Sequence, residues 1–81
     1  MIGKAEKIER QEDKMVNGLS DRIREQRKKM GITQREMAQR IGGGIRTVND
    51  YERGLRQPSY ARLLELARLF DVSTDYLLGV K

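Results

Sequence analysis

The stretch TQREMAQRIGGGIRTVNDYER, residues 33–53, decides the fold. Met37, Ala38 and Ile41 recur at helical spacing behind Thr33 and Glu36. A threonine hydroxyl accepts from the free amides of a first turn while a glutamate three residues on bonds back to the cap, so a helix is expected to start at Thr33. Gly42-Gly43-Gly44 interrupts that pattern, and a second helix is expected from about Ile45 to Arg53, stopped by Gly54. For two short helices to cross at roughly a right angle over a tight turn, the first needs a small residue where the second packs, and the turn needs one that tolerates positive φ. Ala38 and Gly42 stand at those places.

At about 100° per residue, the second helix puts Thr47, Val48, Tyr51 and Glu52 on one arc and Ile45, Arg46, Asn49, Asp50 and Arg53 on the other. The first arc can be buried. The second has the composition of a surface that reads base edges, since arginine pairs with guanine, asparagine with adenine, an acid with cytosine, and an apolar side chain with the thymine methyl.

Outward from this centre, β-branched residues are few and strict alternation is absent, so the whole chain reads as helical. Leu19 and Ser20 open a helix for which Ser20 is a candidate cap, with Ile23, Arg27 and Met30 along one side until Gly31. Pro58 cannot continue a helix, but Ser59 can cap one whose stripe is Leu63, Leu66, Ala67 and Phe70. Ser73 caps a last short helix, with Val72, Leu77 and Leu78 turned inward and Gly79 ending it. The expected fold is all-α, a compact bundle of five short helices over residues 19–81, preceded by a charged N-terminal extension, residues 1–18. That extension reads as a frayed helix or a disordered leader, with a partner-binding or dimerising helix as the third reading.

The 81 residues suit one small domain. Without cysteine or histidine, no disulfide, thiolate metal site or cofactor is expected, and an enzyme is disfavoured. The neighbouring acids Asp71 and Asp75 are accounted for by a helix start. No apolar run approaches a bilayer span, so a soluble, cytoplasmic protein with no membrane partner is expected. The net charge is +5, and residues 1–18 and 58–81 each sum to zero. All the surplus therefore lies in residues 19–57, where ten Lys or Arg face Asp21, Glu25, Glu36, Asp50 and Glu52. A polyanionic partner and a merely solvated helical surface both fit that balance.

Residues 19–79 closely resemble the lambda-repressor and Cro-like (XRE-type) helix-turn-helix regulators of bacteria and phages. The resemblance rests on Ile32-Thr33-Gln34, on Ala38 and Gly42 at their spacing, on Val48, on Tyr51-Glu52-Arg53-Gly54, on Pro58-Ser59, and on the ending Val72 to Gly79. It implies a transcriptional regulator, most simply a repressor acting by occupancy, that binds double-stranded DNA as a homodimer on a two-fold operator. It implies base contacts from Ile45, Arg46, Asn49 and Asp50, and phosphate contacts from Gln34, Arg35, Thr47, Arg53 and Arg56. It also implies an ion pair between Arg27 and Glu52 that serves the scaffold. Leu64, Tyr76 and Leu77 are candidate dimer contacts. The alternative is an antitoxin-like or adaptor module whose main partner is another protein, docked through the N-terminal extension.

The chain departs from the family where Gly43 replaces a usual buried valine and Gly44 a usual serine or threonine cap. Either the turn is mobile until DNA orders it, or neighbours fill the gap. Ile45 is similarly open: it meets a thymine methyl, or it folds back over the turn in place of the side chain missing at Gly43.

Overall fold

The computed structural model describes residues 18–80, and the readings of residues 1–17 as a frayed, disordered or partner-docking leader lie outside them, as does Lys81. The described residues form five helices: α1 Leu19–Met30, α2 Gln34–Ile41, α3 Ile45–Arg53, α4 Tyr60–Phe70 and α5 Thr74–Leu78. They contain no strand.

Local chemistry explains most of the boundaries. Thr33 and Glu36 form a reciprocal capping box, with Glu36 N donating to Thr33 Oγ1 at 3.1 Å and Thr33 N to Glu36 Oε1 at 2.8 Å. Ser59 and Ser73 cap α4 and α5 by accepting from Arg62 N and Tyr76 N at 3.2 and 2.9 Å. Gly42 ends α2 at φ 78, a conformation that would cost a residue with a Cβ about 1–2 kcal/mol. At the end of α4 the same left-handed turn is made by Asp71, φ 57, a residue type that tolerates it. Asp71 therefore closes one helix rather than opening the next.

Two details of α1 differ from the sequence reading. Ser20 does not cap it. The helix already includes Leu19, whose side chain is buried in the core, and the cap position falls to Gly18, which supplies no side-chain bond. Met30 is exposed, whereas Gln26 and, beyond the Gly31 turn, Ile32 are buried. Burying Gln26 requires a polar partner, and its Nε2 donates to Tyr76 Oη at 3.1 Å across 50 residues of sequence.

Every helix sends one large side chain entirely into the core: Ile23, Met37, Val48, Leu66 and Leu77. Full burial of such a side chain contributes about 1.5–3 kcal/mol. Leu77 is thereby removed from the candidate dimer contacts, because its exposure is 0%. Leu64 on α4 and Tyr76 on α5 do keep exposed surface.

Candidate nucleic-acid interface

Helices α2 and α3 make the most extensive helix pair in the bundle, and α3 also packs on α1. Along α3, Val48, Tyr51 and Glu52 are buried and Ile45, Arg46 and Arg53 exposed, with Thr47, Asn49 and Asp50 between. Burying one arc commits the other to solvent. Ile45 is 44% exposed, and the side chains nearest the empty position at Gly43 are those of Arg62 and Thr47.

Glu52 is an acid in a nearly dry position, 3% exposed, and three donors surround it. Arg27 Nε and Nη2 reach its two oxygens at 2.6 and 3.1 Å, and Gln34 Nε2 reaches Oε1 at 3.1 Å. Arg27 Nη1 also donates to the Ile32 carbonyl at 2.9 Å, so the guanidinium fixes the entry to α2 as well.

From this pair an ordered polarity runs outward. A carboxylate only accepts, so Gln34 must turn its amide nitrogen to Glu52 and its oxygen away. That oxygen accepts from Asn49 Nδ2 at 3.3 Å. That bond uses one N–H of Asn49 and leaves Oδ1 and the second N–H, an acceptor and a donor of the kind an adenine edge requires.

The other sequence-derived candidates occupy distinct places. Arg46 and Arg53 extend from the exposed arc, and Arg35 is exposed in the first turn of α2. Thr47 is half-buried beside the turn. Asp50 lies 3.9 Å from Arg56 Nε, and its side chain is 20% exposed against 57% for Arg56. The basic surplus is less free than the bare count suggests. Arg22 Nε donates to the Leu77 carbonyl at 3.0 Å, Arg24 pairs with Asp21 at 3.0 Å, and Arg27 is held by Glu52. Lys28, Lys29, Arg35, Arg40, Arg46, Arg53 and Arg56 remain exposed.

The position where Gly43 lacks a side chain is bordered by Arg62 from outside the motif and by Thr47 from within it. A Cβ built there would lie 3.7 Å from Arg62 Nη2 and 3.9 Å from Thr47 Cβ, ordinary contact distances. Gly44 caps α3 in extended geometry, φ −88 and ψ 161, with nothing within 4 Å of its missing Cβ. Gly44→Ser is expected to raise stability by a few tenths of a kcal/mol, roughly the difference between the two caps, read as a higher urea midpoint with unchanged slope. An unchanged or lowered midpoint would mean that the new hydroxyl does not reach the free amides of α3.

No group of three or more acids that could hold a metal ion occurs among the described residues, and none of their helices is long and apolar enough to cross a membrane.

Residues 23–77 match a family model described as helix-turn-helix. The chain is 46% identical over 61 residues to the HTH-type transcriptional regulator ImmR of Bacillus subtilis, covering 75% of this chain and 48% of that protein. It is 42% identical over 59 residues to the HTH-type transcriptional regulator AnsR of Bacillus subtilis, covering 73% and 51%. It is 33% identical over 61 residues to the cryptic phage CTXphi transcriptional repressor RstR of Vibrio cholerae, covering 75% and 54%. The chain spans about half the length of these relatives.

Proposed function

The chain belongs to the helix-turn-helix family, and from that premise we propose that it is a transcriptional regulator that recognises double-stranded DNA by inserting α3 into the major groove. The observation that carries this reading is the exposed arc of α3, where Asn49 is oriented by Gln34 and Glu52 before any ligand arrives. Arg46, Asn49 and Asp50 read base edges, and the exposed Ile45 meets a thymine methyl. Arg35, Arg53 and Arg56 contact phosphates, Gln34 and Thr47 approach the backbone at the helix starts, and Arg56 exchanges Asp50 for a phosphate on binding. A repressor acting by occupancy is the simplest mode, in keeping with the name of the phage relative. Two copies on a two-fold operator would set half-sites about 34 Å apart, with Leu64 and Tyr76 offering exposed apolar surface between them.

Selection of binding sites from random DNA, followed by affinity measured against salt, tests the proposal. An enriched two-fold site and a steep salt slope are expected. A flat salt response with no enriched site would favour the protein-interaction module instead. Arg53→Ala and Arg56→Ala should each weaken all DNA alike and reduce the salt slope by about one, the signature of a lost phosphate contact. An unchanged slope in either variant would remove that residue from the backbone contacts.

A further inference from the structure

Arg62 lies outside the two motif helices, in the first turn of α4, yet its guanidinium reaches back to the turn between them. Its Nη1 donates to the carbonyl of Ile41, the last residue of α2, one of the helix-end carbonyls with no partner inside the helix. The same Nη1 is 2.8 Å from Glu65 Oε1, which holds the side chain over the turn at 24% exposure. The plane then occupies the space beside Gly43, with Nη2 and Cζ 3.7 and 3.9 Å from where a Cβ would stand. One cation therefore does two things: it satisfies an end carbonyl of α2 with the charge that a helix C-terminus favours, and it packs beside the position that the sequence leaves without a side chain.

We propose that Arg62 is a positioning residue for the reading helix, setting the direction in which α3 leaves the triple-glycine turn without itself contacting DNA. The inference rests on the proposed DNA-reading role of α3 but has a readout independent of it. The turn is held by Gly43 N donating to the Ala38 carbonyl at 3.1 Å and Val48 N to the Gly44 carbonyl at 3.2 Å, so these two amides report its opening. In Arg62→Ala, exchange at both is expected to quicken about 3- to 10-fold, the factor for one lost hydrogen bond, relative to amides in the middle of α1. The ratio of affinity for the selected site over scrambled DNA is expected to fall by a similar factor with the salt slope unchanged. Gly43→Val in the Arg62→Ala background fills the vacated space but supplies no donor to the Ile41 carbonyl, and should restore both readouts in part. Arg62→Lys keeps a donor but not the planar cover and should fall between.

A salt slope lowered by about one in Arg62→Ala would make Arg62 a direct phosphate contact and overturn the proposal. So would equal quickening of exchange throughout the bundle, or discrimination unaltered by the substitution. Should the wild-type chain enrich no DNA site, the reading role of α3 fails, and exchange at Gly43 and Val48 still decides whether Arg62 holds the turn.

Discussion

Glu52→Ala is expected to remove about 3 to 5 kcal/mol of folding stability, the cost of leaving a buried charge without its partner. The side chains of Glu52 and Arg27 are 3% and 13% exposed, so water cannot replace the lost carboxylate around the guanidinium. A core of this size supplies little more than that amount, and the variant should be largely unfolded at room temperature. A urea titration followed by helical circular dichroism measures this. A shift below about 1 kcal/mol would mean that the pair is solvated and weak, as exposed pairs are. The double variant Arg27→Met with Glu52→Leu separates two roles of the site. Apolar replacement of both members removes the stranded charge and should recover most of the stability. It also removes the acceptor that turns the Gln34 amide, so Asn49 loses its fixed orientation. Folding should return while discrimination at the base pair read by Asn49 does not. If both return together, the chain from Glu52 to Asn49 has no part in recognition.

Arg46→Ala is expected to reduce discrimination at one base pair by about 1–3 kcal/mol, the usual worth of a bidentate arginine–guanine contact, while leaving affinity for sites altered elsewhere in the same rank order. Arg46 differs from its neighbours on α3 in being free to act. Asp50 has Arg56 nearby and Asn49 is bonded to Gln34, but Arg46 is exposed without an ion pair or hydrogen bond among the described residues. Competition binding against a panel of single-base variants of the selected site provides the measurement. A uniform loss across the panel would reassign Arg46 to the phosphates.

The helix boundaries and buried stripes were legible because they are written locally. A cap is satisfied within three residues, as at Thr33 and Glu36, and a buried stripe repeats within one helix, as at Leu66, Ala67 and Phe70. Where the structure departs from the local pattern of the residues, the cause is a demand from outside the segment. Ser20 is a good cap by composition, but core burial of Leu19 pulled the helix start forward. By sequence Leu77 suits both an inward position and a dimer contact, and only the packed core chooses between them. Gln26 and Arg22 carried no local signal, since their partners Tyr76 and Leu77 lie 50 and 55 residues away.

By itself, the stretch from Thr33 to Arg53 determined two helices, a glycine turn and the division of the second helix into a buried and an exposed arc, because capping, periodicity and positive φ depend on near neighbours alone. What the tertiary structure decided is how that second helix is held. Glu52 receives Arg27 from α1 and Gln34 from α2, and Asn49 inherits its orientation from them. Arg62 on α4 borders Gly43 and donates to the Ile41 carbonyl. These contacts depend on the angles at which helices cross, and no spacing within a single helix encodes where another helix's side chain will end.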